Sequence, residues 1–126
     1  MKIKNFFSNY TDRIYSLMRI VIGILFFSHG VQKASALLSG AMSFTNTLIV
    51  LATIIELITG FLIIIGLKVR LAAFFASGEM AVAYFHVHAF QAFWPINNGG
   101  EKAVFYCFVF LFMAAYGVGV WSVDKK

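Results

Sequence analysis

Residues 48–70 read LIVLATIIELITGFLIIIGLKVR, and the reading of this stretch decides the fold. Its first twenty residues, Leu48–Leu67, carry a single charge, Glu56. At about 1.5 Å rise per residue, a helix of that length crosses about 30 Å of hydrocarbon. Gly66 marks the helix end, and Lys68-Val69-Arg70 is so short a link that the next helix must return antiparallel to this one. A membrane-crossing hairpin is therefore the nucleus of the expected architecture.

Working outward, the returning span is expected at Leu71–Phe90, an earlier one at Ile14–Val31 and a last one at Ala103–Val120. The loop between the first two, QKASALLSGAMSFTNT, is non-spanning, and Thr45 or Asn46 is positioned to cap the second helix. Pro95 stops the chain after the third span, and Glu101 suits the first turn of the fourth helix by its charge. Residues 1–12 mix lysines with Phe6, Phe7 and Tyr10, as a segment lying on a membrane surface does. The expectation is all-α: one transmembrane domain over residues 1–126, a four-helix bundle running up-down-up-down. A signal peptide is the competing reading of the first span, since Ala34-Ser35-Ala36 resembles a cleavage site. Arg19 would then fall inside its apolar core and only three spans would be left.

Composition agrees. Hydrophobic residues make up 61% of the 126 and charged ones only 12%, where a soluble domain has about a quarter charged. The net charge of +5 comes from lysines and arginines at segment ends, so it points to anionic lipid and not to nucleic acid. Lys2, Lys4, Arg13, Lys68, Arg70, Lys125 and Lys126 fall on one side of a four-span arrangement, against Lys33 and Lys102 on the other. The positive-inside rule then places both termini in the cytoplasm of a bacterial-type inner (plasma) membrane. With Cys107 the only cysteine, dithiol chemistry within one chain is excluded.

The polar residues inside these spans are the candidates for function. Counted from the cytoplasmic ends, Arg19 lies roughly 8 Å deep, Glu79 roughly 12 Å, Glu56 roughly 16 Å, and His29 and His86 roughly 22 Å. Glu79 and His86 in EMAVAYFHVHAF (residues 79–90) are seven apart and share a helix face, whereas His88 points elsewhere, to the outer interface. Glu56 and Glu79 can share a hydrogen bond if one is protonated, with Arg19 as counter-ion to a charged carboxylate. Gly23, Gly30 and Gly60 are close-packing sites between helices.

His29-Gly30-x-x-Lys33, Glu56-x-x-x-Gly60, Glu79 and Asn98-Gly99-Gly100-Glu101, in that order on four spans, resemble the DoxX/DoxD-like membrane proteins from about Arg19 to Asp124. The resemblance implies a four-helix membrane protein. Its DoxD-type members are membrane subunits of a thiosulfate:quinone oxidoreductase, and others are associated with soluble redox or sulfur-transfer partners.

The leading expectation is thus a subunit of a membrane oxidoreductase with a site for a quinone or similar lipid-soluble redox molecule. His29 and His86 would donate to the carbonyl oxygens, with Glu79 and Glu56 as proton relay. Arg19 would balance charge, and Lys33, Asn98 and Glu101 would line the outer mouth. Haem or a transition metal between two histidines is a second expectation, though no C-x-x-C-H signature accompanies it. A non-catalytic scaffold that docks redox or sulfur-transfer proteins through residues 32–47 and 97–101, alone or as an oligomer, is a third. A small proton-coupled transporter is the fourth, without the broken-helix pair such proteins carry.

Overall fold

Long apolar runs leave no other way to satisfy backbone N–H and C=O groups in hydrocarbon than to coil them into helices. In the computed structural model, which describes residues 2–126 with the side chains of Lys2 and Lys4 excepted, six α-helices form and no strand is present among the described residues. They are α1 (Lys2–Asn9), α2 (Thr11–Leu38), α3 (Thr47–Ile65), α4 (Val69–Ala83), α5 (Pro95–Asn98) and α6 (Glu101–Tyr116). A π-helical turn, Tyr84–His88, continues α4. Two of these, α2 and α3, are long and apolar enough to cross a membrane by themselves.

The count differs from the four helices expected, because α1 separates from α2 at Tyr10 and Pro95 begins the short helix α5 instead of simply stopping the chain. Proline is favoured at a first helical position, where its missing N–H is not needed. Boundaries move as well. Helix α2 continues through Gln32–Leu38, read from sequence as loop, because Ala34, Ala36 and Leu37 are good helix formers and Leu37 is buried. Helix α6 ends at Tyr116, not Val120. Gly117 and Gly119 both take positive φ there and turn the chain out of helix. The surface reading of residues 1–12 holds for exposed Phe6, Phe7 and Tyr10, while Met1 and the side chains of Lys2 and Lys4 lie outside the described residues.

Asn46, one of the two expected caps, accepts from the Ile49 N–H at 3.4 Å and starts α3. Gly66 closes α3 in the left-handed region, with the Gly66 and Leu67 N–H groups both returning to the Leu62 carbonyl. The paired long helices run antiparallel. Gly23 abuts Ile63 and Ile64, Gly60 abuts Phe27, and Gly30 abuts Leu57, so position falls on α3 as it rises on α2. Ser77 on α4 donates to the Cys107 carbonyl of α6 at 2.8 Å, and Arg70 reaches the Ala114 carbonyl at 3.0 Å. One end of the molecule therefore holds Arg19, Gly66, Arg70 and Tyr116. The opposite end holds Lys33, Asn46 and Asn98.

The packing is inverted relative to a water-soluble bundle. Leu17 and Val21 on α2, Leu51 and Ile58 on α3 and Phe74 on α4 face outward, whereas Ser16, Arg19, Thr53, Glu56, Thr59 and Ser77 are buried. Such a surface has hydrocarbon as its solvent, and the polar interior supplies the contacts that apolar burial cannot give in a bilayer. The protein is a membrane protein by this distribution.

The glycine seam between α2 and α3 carries a prediction. A Cβ at Gly60 would sit 3.0 Å from the Cα, Cβ and N atoms of Phe27, mostly backbone that cannot rotate away. Gly60→Leu should force the helices apart and destabilise the fold by about 1–3 kcal/mol. Gly78→Ala, where a Cβ meets nothing within 4 Å, should be near neutral. Both are measured by loss of helical signal in a denaturing-detergent titration.

The last ten residues form a strap across the Arg19 end. The Val123 and Asp124 N–H groups donate to the Ile65 and Gly66 carbonyls, each at 3.0 Å, and the Asp124 carboxylate accepts from the Lys68 N–H at 2.6 Å. Ser16 Oγ accepts from the Val120 N–H at 2.8 Å, and the Tyr15 hydroxyl donates to the Gly117 carbonyl. The strap closes on α2 through Asp12, which accepts from Lys126 at 2.6 Å and from the Tyr116 hydroxyl. Those two hydrogen bonds, Lys126 first, hold the Asp12 carboxyl below the usual carboxylate range.

Candidate functional site

The polar groups picked out in the sequence separate into three places. Arg19 is alone at its end of the bundle, fully buried, and its partners are carbonyls. It donates through Nη1 to Ile63 and to Ile64 (2.9 Å), and through Nη2 to Val120 (3.2 Å) and Trp121 (2.7 Å). The expected pairing with a carboxylate is not what forms. The carboxyl end of α3 and the strap both arrive at the depth of Arg19. Their orphan carbonyls and the negative end of the helix dipole stand in for a counter-ion.

Asn98 is the centre of the second place. It is 3% exposed; its Nδ2 donates to the Tyr84 hydroxyl at 3.2 Å and the Ala92 carbonyl at 3.1 Å, and its Oδ1 accepts from the Gly100 N–H at 2.8 Å. His88 joins this knot. Its Nδ1 lies 3.0 Å from the Asn98 carbonyl, which can only accept, so Nδ1 carries the proton. His88, half-exposed at this end, ties α4 to the loop that starts α6. Gly99 supplies the left-handed residue the knot needs, at φ 71°. Glu101 sits beyond it, exposed, beside Trp94 and Lys102. Asn98 and Glu101 are thus not brought to the mouth where Lys33 stands.

The third place gathers the carboxylates. Glu56 is 1% exposed and accepts from Lys33, which reaches across from α2. Its other oxygen, Oε2, is buried with no hydrogen-bond partner, and so is Oε2 of Glu79. The expected hydrogen bond between the two acids does not form: Glu56 bonds Lys33 through Oε1, and the Oε2 atoms of both acids stay unpartnered. They are nonetheless close enough for their charges, and that of Lys33, to interact. On the α6 side of Glu56, the His29 ring meets Tyr106 edge-on at 6.1 Å between centroids. His29 is within electrostatic reach of Glu56.

A half-open cleft of about 770 Å³ runs between α3 and α4 beside this group. Lys33, Asn46, Glu79 and His86 are its polar lining, and Ile55, Phe74 and Val82 are among its apolar walls. Glu79 and His86 share the cleft, as their spacing indicated. His29 lines a different surface, so the two histidines do not face one another across it. Gly78 leaves the floor open beside Glu79. The π turn begins five residues past Glu79, and its wider coil sets the separate directions of His86, into the cleft, and His88, into the Asn98 knot. Sequence periodicity assumed a regular α-helix and had no signal for that turn. Among the described residues no group of three His, Cys, Asp or Glu side chains converges as a metal ion would need.

Such an arrangement is able to hold a flat or chain-like apolar molecule entering sideways from lipid, and to exchange protons with its polar atoms. The comparisons with known proteins bear on which molecule. The DoxX family model matches residues 14–89, which includes α3, α4 and the whole carboxylate group. An uncharacterized protein of Haemophilus influenzae is 34% identical over a 129-residue alignment that covers 97% of this chain and 96% of that protein. No solved structure matches the chain.

Proposed function

This chain belongs to the DoxX family of membrane proteins, and from that premise we propose that it is the membrane subunit of an oxidoreductase system, with a site for a quinone or similar lipid-soluble redox molecule in the α3–α4 cleft. The observation that carries the reading is the unpartnered Glu79 Oε2 beside an apolar, lipid-facing cleft of about 770 Å³. The residues fit the group: apolar walls suit a ring and an isoprenoid tail, and the polar side chains are few, Lys33, Asn46, Glu79 and His86.

A bound quinone supplies acceptance of two electrons and two protons at its carbonyl oxygens. Glu79 and His86 hold protons within the cleft for those oxygens. Lys33 bonds Glu56 and places a positive charge at the cleft's end, which favours a ligand oxygen gaining negative character. Glu56 and His29 extend the relay behind Glu79, toward α6. Asn98 supports the mouth indirectly, by fixing the loop that ends at α6, Glu101 lies exposed beyond it, and Arg19 serves from the opposite end by holding α3 in place. Electrons arrive from a partner, soluble or membrane-bound. The bundle is a four-span, up-down-up-down unit with both termini cytoplasmic in a bacterial-type inner membrane. In that orientation the cleft and its proton exchange lie toward the outer side.

The test is protein purified in mild detergent, extracted with organic solvent and examined by mass spectrometry for quinone. About one quinone per chain is expected, with a loss of about tenfold or more in Gly78→Leu, which fills the cleft, and in Glu79→Gln. Unaltered quinone content in both variants would dispose of the assignment. A second reading, a scaffold that docks redox or sulfur-transfer proteins, draws on the continuously exposed loop 39–47 at the same end. On that reading Glu79→Gln changes folding and leaves every redox reaction of the partner intact.

A further inference from the structure

The Arg19 end carries a second concavity that shares no lining residue with the cleft, although Phe74, a wall of the cleft, lies one turn beyond it on α4. The strap residues Asp124, Lys125 and Lys126 close over the α3–α4 turn and enclose a hollow of about 380 Å³ with Lys68, Arg70 and Leu71. Four cations and one carboxylate line it. The carboxylate, Asp124, is already bonded to the Lys68 N–H at 2.6 Å. Arg70 is held on the last carbonyls of α6, and Lys126 is shared with Asp12 at 2.6 Å. The ammonium groups of Lys68 and Lys125 have no hydrogen-bonded partner among the described residues. The hollow therefore has an excess of positive charge that nothing in the fold neutralises.

Its position specifies the source of a complementary anion. Exposed Leu71 is part of the lining, and exposed Phe74 and Phe75 continue from it along the outward face of α4. Trp121, exposed on the strap at the same end, has the amphipathic ring that settles at a membrane–water boundary. A ligand with a phosphodiester anion at one end and an acyl chain at the other matches the hollow and the stripe together. We propose that Lys68, Arg70, Lys125 and Lys126 form a headgroup site for one anionic phospholipid, whose chain lies along Leu71 and Phe74.

The strap has a consequence under this proposal. The bound lipid bridges the α3–α4 turn to the C-terminal residues, and so stabilises the strap that satisfies Arg19. Free phosphate has the same headgroup chemistry without the chain.

Native mass spectrometry of the full chain in mild detergent, titrated with phosphatidylglycerol or with phosphatidylcholine of identical acyl chains, separates the possibilities. One phosphatidylglycerol should bind per chain, at least about tenfold more tightly than phosphatidylcholine. Lys68→Ala/Lys125→Ala should weaken it about thirtyfold, from two lost surface charges. Lys68→Arg/Lys125→Arg should retain it, and retention decides the matter even if the alanine pair folds poorly. Equal affinity for the two lipids, or unchanged binding in the alanine pair, overturns the site. Displacement of phosphatidylglycerol by millimolar sodium phosphate overturns the lipid assignment and makes it a phosphate site.

Discussion

Arg19→Leu should leave the protein without a stable folded state, with a loss of at least about 3–5 kcal/mol. The guanidinium is fully buried and is donor to four carbonyls, on Ile63, Ile64, Val120 and Trp121. Leucine, shorter and apolar, removes all those donors and leaves the carbonyls dry, at about 1–3 kcal/mol for each that water cannot reach. Those carbonyls belong to two segments, the end of α3 and the strap, so the loss also detaches the strap from the bundle. Arg19→Lys should fall between the two. It keeps the charge that answers the α3 dipole, but a compact ammonium does not span four acceptors as a planar fork does. Monodispersity in gel filtration and a denaturing-detergent titration of helical signal measure the ranking: wild type, then lysine, then leucine. Equal stability of the leucine variant would show that the carbonyls find water, and that Arg19 is not the clasp of this end.

The second large effect is expected at Lys33. Lys33→Met removes the only hydrogen-bond donor that Glu56 has among the described residues, in a place where Glu56 is 1% exposed and its second oxygen is already unpartnered. A buried carboxylate deprived of its partner costs about 3–5 kcal/mol. Partial exposure of the Lys33 side chain, 30%, lowers the expectation to about 2–3 kcal/mol. Replacing both members with apolar residues, Lys33→Met/Glu56→Leu, should recover most of that loss, since a buried pair is worth little against a packed apolar substitute. The double-mutant cycle in the same titration yields the coupling directly. Additive losses would mean that Lys33 stabilises the bundle by its stem and not through Glu56. The double variant also separates stability from function: if the cleft binds a redox molecule through this group, the recovered protein folds and no longer holds it.

Much of the architecture is legible in the chain, and the reasons are local. Leu48–Leu67 announces a membrane helix because hydrocarbon admits no unpaired backbone, and Gly66 announces its end because a left-handed residue is needed there. Gly23, Gly30 and Gly60 read as close-packing sites between helices, and the structure brings all three into the α2–α3 seam. Glu79 and His86 were placed on one face by periodicity, and the cleft holds both. The membership of the site was harder to read. Lys33 stands at the mouth and is also the partner of Glu56, which spacing does not show. Arg19 was assigned to a carboxylate, yet it serves carbonyls. His88 locks the Asn98 loop, a partner that spacing does not supply.

These differences share a physical origin. Hydrophobicity, helix-end glycines and charge placement act over a few residues, so sequence by itself determined that this is an all-helical membrane protein, where its apolar helices lie and which faces are close-packed. A buried polar group is satisfied by whatever donor or acceptor three dimensions bring within about 3 Å, often from a segment far along the chain. Ile63 and Trp121 reach Arg19, Lys33 reaches Glu56, and a π turn with no sequence signature turns His86 one way and His88 the other. Only the tertiary structure decided those partners, and with them which acids stay unpaired beside the cleft.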